Sequence, residues 1–311
     1  MIDNSLVVPI YRNAENIKSL FVALEDLSAK LNGNLEVIFV IDGSPDDSGE
    51  IILNTPRSFA SRTIFHSRNF GSFTAIRTGM EFAKGSYIAA MAADLQEPPE
   101  LILAFFKLLR ENQADVVFGE RTARADGFVQ RTLSNIFWSA YRRMILPAMP
   151  KGGVDIFGCN RKVLDALLQI EEPNSSLVAQ LFWVGYRRKF VPYARQERKE
   201  GKSGWNFSRR LRYMMDSIFS FSDLPILAVL WIGVLGSIVS LFFGVMTIVG
   251  RLFGYIDERG YATIVLMISL FGFLNMVVLG LMGCYLWRAL ENTKRRPLRL
   301  ISHIVEGQLP E

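Results

Sequence analysis

Along the first 120 residues, short apolar runs alternate with stretches in which apolar positions recur every three or four residues. Leu6–Ile10, Leu35–Ile41, Thr63–Phe65, Tyr87–Met91 and Asp115–Phe118 read as strands, and the periodic stretches near 14–31, 71–84 and 98–112 as helices between them. This strand–helix rhythm predicts an α/β domain with a mostly parallel, covered sheet of the nucleotide-binding type. No internal repeat or low-complexity segment interrupts it.

Farther along, the pattern changes. In 128–146, Val129, Leu133, Ile136, Ala140 and Met144 recur at helical spacing, with Arg131, Arg142 and Arg143 elsewhere on the wheel. In 205–222, Phe207, Leu211, Met214, Ile218 and Phe221 do the same, with Arg209, Arg210 and Arg212 on another face. Basic amphipathic helices of this kind lie in a membrane interface or pack on a domain core, and the second runs directly into an uncharged segment. Residues 224–250 carry no charged side chain, and neither do 262–287. Each run exceeds the roughly 20 apolar residues that cross a bilayer core, so two transmembrane helices are predicted. Gly236, Ser240 and Gly244 follow one another at four-residue spacing, which permits close helix approach within the hairpin or between copies of the chain. The predicted organisation is a domain over 1–204, an interface helix over 205–222, a membrane hairpin over 223–288 and a tail over 289–311.

Charge orients this arrangement. Residues 195–213 hold seven Lys or Arg against Glu197 and Glu200, and residues 288–299 hold five against Glu291. In the connecting loop 251–261, Arg251 and Arg259 balance Asp257 and Glu258. Positive flanks stay inside, so both termini and the N-terminal domain are expected on the cytoplasmic side of a multi-pass inner-membrane protein. With 50% hydrophobic residues and a mean hydropathy of +0.21, the 311-residue chain is more apolar than a purely soluble enzyme. The isoelectric point is near 9.2. The basic residues cluster beside the apolar segments, which points to anionic membrane lipids and away from nucleic acid. Cys159 and Cys284 fall in different compartments of this scheme and have no metal-ligand spacing, so no disulfide framework is expected.

Three carboxylate-bearing segments leave predicted strands at the end where open α/β sheets bind ligands. Ile41-Asp42-Gly43-Ser44-Pro45-Asp46-Asp47 puts an acid into a glycine turn, suited to accepting hydrogen bonds from a base or ribose but also an ordinary turn sequence. In Ala93-Asp94-Leu95-Gln96-Glu97-Pro98-Pro99-Glu100, Asp94 and Gln96 alternate, so both can face one ion, and oxygen ligands suit Mg²⁺ or Mn²⁺. The alternative is that Asp94 caps the helix that starts at Pro98 or Pro99. Gly152-Gly153-Val154-Asp155 is a glycine-rich turn holding one acid.

Together with Val8-Pro9-Ile10-Tyr11, Ser67-Arg68-Asn69-Phe70-Gly71, Arg198 through Trp205 and the apolar hairpin, these segments resemble the family 2 inverting glycosyltransferases. The likeness is to their polyprenyl-phosphate branch, which includes dolichyl-phosphate mannose synthase and the bacterial polyisoprenyl-phosphate glucosyltransferases. The resemblance implies a GT-A Rossmann-like domain with juxtamembrane amphipathic helices and a C-terminal two-helix transmembrane hairpin. It implies transfer of a sugar from a nucleotide-sugar, UDP by likeness to the bacterial members, to a polyprenyl phosphate such as undecaprenyl phosphate. Pro9, Tyr11, Asp42, Arg68 and Gly71 would line the donor pocket, with Arg198 and Ser203 in a loop closing over it. Asp94 and Gln96 would hold Mg²⁺ or Mn²⁺. Arg121, Arg131 and Ser134 would receive the lipid phosphate, and Asp155 would stand near the reaction centre.

The chain departs from the family pattern at four places. Ala92 replaces the first acid of the usual D-x-D pair, and Arg12-Asn13 replaces Asn-Glu after the tyrosine. Ser72 stands where a lysine often follows Asn-Phe-Gly, and Ser203-Gly204-Trp205 replaces Ser-Lys-Trp. Two other readings stay open at the level of sequence: transfer to a growing lipid-linked glycan, and a catalytically inactive membrane scaffold, whose support is Ala92.

Overall fold

The computed structural model describes residues 2–122, 149–150, 154–172, 175–196, 224–253 and 260–307. The apolar runs form β1 (Asn4–Ile10), β2 (Leu35–Ile41), β3 (Ala60–His66), β4 (Tyr87–Ala90) and β5 (Val116–Arg121). Every position of β2 is buried, as a strand covered on both faces requires. Between the strands lie α1 (Ile17–Lys30), α2 (Ser48–Asn54), α3 (Ser72–Phe82) and α4 (Pro99–Arg110). Extended backbone at Pro98 and a proline in the first turn start α4, since proline's fixed φ and missing N–H suit that position. Next in the chain come β6 (Val154–Asn160), α5 (Arg161–Leu168), α6 (Leu177–Trp183), β7 (Arg188–Tyr193), α7 (Leu224–Leu252), α8 (Tyr261–Thr293) and β8 (Ile301–Glu306).

The strands form one eight-stranded sheet in the order β7-β5-β6-β4-β1-β2-β3-β8. Pairs β1–β2, β1–β4, β2–β3 and β5–β7 are parallel, whereas β6 and β8 run antiparallel to their neighbours. The carboxyl ends of β1 to β5 and of β7 therefore share one edge, with the amino end of β6 among them. On one face α1, α2 and α4 pack into a continuous apolar cluster that includes Leu6, Phe39, Ile52 and Phe105. Phe21 of α1 stacks on Phe39 with centroids 5.5 Å apart. Burial of side chains this size contributes about 1.5–3 kcal/mol each. The other face is covered by α3, which comes so close that a Cβ on Gly79 would stand 2.3 Å from Val7 Cγ1.

The chain divides into two compact units, Met1–Met214 with Arg296–Glu311, and Met215–Arg295. In the second, α7 and α8 run for 29 and 33 residues, enclosing the two uncharged segments. Among the described residues, Leu270–Thr293 is long and apolar enough to cross a membrane, and Pro225–Gly236 is a shorter apolar stretch. Beyond the second unit the chain returns to the first. Residues 301–306, within the expected tail, form β8 and pair with β3, where Arg62 and Glu306 make a 2.7 Å ion pair.

Candidate active site

At the carboxyl edge of the sheet, the loops are tied to one another by the acids that end the strands. Asp42, the residue after β2, is 2% exposed. Its Oδ1 accepts from His66 Nδ1 and from the Phe70 N–H, and its Oδ2 from the Gly71 N–H, each at 2.8 Å. Hydrogen bonds to an ionised carboxylate are among the stronger kind, so the Ser67–Gly71 loop is bound to the end of β2. Gly43 brings the two segments into contact. Its φ is 59°, and a Cβ there would lie 2.4 Å from both Arg68 C and Asn69 N, which are backbone atoms with no room to yield. Arg68 lies over the Phe70 ring at 4.2 Å and is exposed.

His66 continues the chain of contacts, with Nε2 3.0 Å from Thr78 Oγ1, whose hydroxyl donates to the Thr74 carbonyl. An acid, an imidazole and a hydroxyl in series look like a nucleophilic triad. Thr78, however, is fully buried and its proton is directed into α3, so the series fastens β3 to α3 and performs no attack.

Asp46 makes the second knot, between the loops after β1 and β2. It accepts from the Ser44 and Ser48 hydroxyls at 2.5 and 2.8 Å and from the Ala14 N–H at 3.1 Å. Ser44 Oγ in turn accepts from the Arg12 N–H at 2.7 Å, at a residue with φ of 55°. Burial pushes the Asp46 carboxyl up, but these hydrogen bonds outweigh it and hold it below the usual carboxylate range. The arrangement presents half-buried Tyr11 at the edge, with the Arg12 guanidinium 5.4 Å from its ring. Pro9 marks where the sheet opens. The Val7 carbonyl accepts from Met91 N, beyond the end of β4. Pro9, two residues on, faces the same side where no ladder partner remains, so its missing N–H leaves nothing unpaired. This gap between β1 and β4 is the switch point of the strand order, where open α/β sheets take ligands.

Asp94 leaves β4 at that gap, half-buried, in a loop whose Leu95 has φ of 52°. Gln96 is turned to the segment after β7: its Oε1 accepts from Arg195 Nη2 at 2.6 Å, and its backbone oxygen accepts from the Gln196 N–H at 3.0 Å. In this arrangement a guanidinium occupies the oxygen that a metal would use. Among the described residues no group of three or more His, Cys, Asp or Glu is placed to hold a metal ion. Asp94 alone fits an ion held chiefly by substrate phosphates and water, as Mg²⁺ sites often are.

Arg121 ends β5 opposite Tyr193 of β7, and Thr122 bonds the Tyr193 carbonyl through its N–H at 3.0 Å. The Glu120–Val154 pairing brings the backbone of Asp155 to the same edge; its side chain lies outside the described residues, as do Arg131, Ser134, Arg198 and Ser203. The helices expected over 128–146 and 205–222 lie outside them too. Pro9, Tyr11, Asp42, Arg68, Gly71, Asp94, Gln96 and Arg121 thus share one edge. His66 and Arg195 are not foreseen from sequence: a lone histidine at a strand end has no spacing signal, and an arginine in a basic run looks like its neighbours. Cys159 is buried and its thiol is pushed up to about 12, so it is inert.

Residues 5–168 match the model of glycosyl transferase family 2. The chain is 32% identical to an uncharacterized glycosyltransferase of Synechocystis over 305 residues, 97% of this chain and 96% of that one. The chain belongs to glycosyl transferase family 2. It is also 28% identical to the prophage bactoprenol glucosyl transferase homolog of Escherichia coli, over 96% of this chain and 98% of that one. This family 2 glycosyltransferase shares its GT-A-like fold with a Pyrobaculum calidifontis mannosyltransferase solved with GDP-Man and Mn²⁺ (TM-score 0.50, 18% identity, 69% of this chain and 62% of that one).

Proposed function

We propose that this glycosyltransferase moves a sugar from a nucleotide-sugar, UDP-linked by preference, to the phosphate of a polyprenyl phosphate at the cytoplasmic face of a membrane, with inversion at the anomeric carbon. The observation that carries the reading is the convergence at one sheet edge of the Asp42-bound loop, Asp94 and Arg121. In support, relatives named bactoprenol glucosyl transferases align along nearly the whole chain.

The chemistry needs little from a base. A phosphate monoester has its second pKa near 6, so the acceptor arrives ionised and requires orientation and partial neutralisation. Arg121, with Arg131 and Ser134, would receive it, because forked guanidinium groups match phosphate oxygens. Pro9, Tyr11, Asp42, Arg68 and Gly71 would bound the base and ribose, with Arg198 and Ser203 closing over them. A Mg²⁺ or Mn²⁺ ion held by Asp94 would supply charge stabilisation for the departing diphosphate. Arg195, whose Nη2 donates to Gln96 Oε1 at 2.6 Å, is a cation beside the Asp94 loop and is suited to the same charge. Asp155 would orient the acceptor, which is already deprotonated. A single in-line attack inverts the sugar.

The membrane reading gains from topology. The sheet-bearing unit, Met1–Met214, is resumed at Arg296 on the far side of the two helices, and β8 pairs there with β3. A chain fastened in this way crosses a bilayer an even number of times, which favours a two-helix hairpin over a single crossing. Incubating purified protein with labelled UDP-sugars and either undecaprenyl phosphate or a lipid-linked glycan tests the reading. An acid-labile monoglycosyl lipid from the first acceptor is expected; product from the glycan alone would refute it.

A further inference from the structure

The strand that comes after the apolar helices in sequence reaches the Ser67–Gly71 loop of the proposed donor pocket. β8 pairs with β3 through Arg62–Glu306, Thr63–Val305, Ile64–Ile304 and Phe65–His303, and then slips by one residue so that His66 faces Ile301. Such a bulge bends a strand and re-aims the residues after it, which makes bulges common beside functional sites. Here the next residue is Ser67, and its N–H donates to the Leu300 carbonyl at 2.9 Å. The His303 ring stacks on Phe65 with centroids 4.1 Å apart and planes 12° from parallel. Phe65 is also held by α2, where a Cβ on Gly49 would come within 2.7 Å of its ring. The next side chain, His66, turns to the opposite face and bonds Asp42, which fixes the Phe70 and Gly71 amides.

We propose that Leu300–His303 is a positioning element of the donor site: by clamping Phe65 and Ser67 it sets the start of the Ser67–Gly71 loop, so nucleotide affinity depends on residues beyond the membrane segment. Three consecutive residues are each fixed by a different partner: Phe65 by His303, His66 by Asp42 and Ser67 by Leu300. Loosening the first frees a strand edge immediately before a loop that is held from outside by Asp42, through the Phe70 and Gly71 amides, and by the His66 ring edge-on to Phe70 at 5.5 Å. His303 is a positioning residue, since it touches no reacting group. The proposal rests on the Ser67–Gly71 loop being part of the donor pocket.

The test compares His303→Ala and His303→Phe in the full chain in detergent. Hydrogen exchange without nucleotide reports the loop directly, and calorimetry with UDP or GDP, whichever the wild type binds, reports the pocket. His303→Ala should speed exchange at the Phe70 and Gly71 amides and weaken nucleotide binding about three- to tenfold, the range an aromatic stack supports. His303→Phe should restore both, and the KM for the lipid acceptor should stay put. Unchanged affinity in His303→Ala overturns the proposal, as does failure of phenylalanine to rescue. A wild-type chain that binds no nucleotide sinks the donor reading itself, and the proposal with it.

Discussion

Asp42 carries three hydrogen bonds on a carboxylate that is almost out of reach of solvent. Asparagine in its place would set an NH₂ group against an N–H donor that now finds an oxygen. Asp42→Asn should therefore destabilise the fold by about 1–3 kcal/mol, read as a lower unfolding midpoint in denaturant. Gly43→Ala should be as damaging, about 1–3 kcal/mol, because its Cβ meets backbone atoms at 2.4 Å and its φ is positive. A stability near that of the wild type would show that the Arg68–Asn69 backbone can move aside. Asp94→Ala should lower turnover on the order of a hundredfold or more, through loss of the carboxylate proposed to hold the metal. Ala92→Asp should tighten Mn²⁺ binding in calorimetry; an unaltered metal dependence would show that position 92 does not face the ion. The acids were legible in the sequence as strand-ending residues, but their partners were not. Asp42 reads as a ligand contact from sequence; the structure shows it anchoring a loop 28 residues away, a role hidden because the parallel crossover that joins them leaves no mark in local spacing.

The elements that the sequence predicted well were those with a local pattern. β1 to β5 follow apolar runs, and α1, α3 and α4 follow helical periodicity, with ends differing by a few residues. Short elements held by distant partners escaped: seven-residue α2, and β6, β7 and β8, which pair across long stretches of chain. The start of β7 is pinned by Asp115, which accepts from Arg187 Nε at 2.9 Å and from Asn160 Nδ2 at 3.0 Å. The Arg187 guanidinium holds the Asp115 carboxyl below its usual range; burial opposes the shift, and the Arg187 N–H and Asn160 reinforce it. A carboxyl depressed in the folded state stabilises the protein above its unfolded pKa, near 4, and loses that contribution as pH falls through the lower folded value. Melting curves should show wild type and Asp115→Asn drawing together as pH drops below about 4. Curves that stay parallel would mean that this carboxylate contributes nothing. The pair is partly exposed, so the effect should shrink in high salt.

For the whole molecule, motif order pointed to the family that the comparisons show, and composition and charge to the proposed membrane attachment; neither indicated that the sheet is completed by a strand from beyond the apolar helices. With that closure, the proposed membrane hairpin predicts that tags at the two termini share one side of the membrane, and opposite protease sensitivity in sealed vesicles would contradict it. The central claim is that a nucleotide-sugar meets a lipid phosphate in line at the carboxyl edge of this sheet. Nuclear magnetic resonance of the lipid product formed from undecaprenyl phosphate tests it most directly. A phosphodiester whose sugar has the opposite anomeric configuration to the donor is predicted; retained configuration, or a sugar attached anywhere but the phosphate, would contradict it.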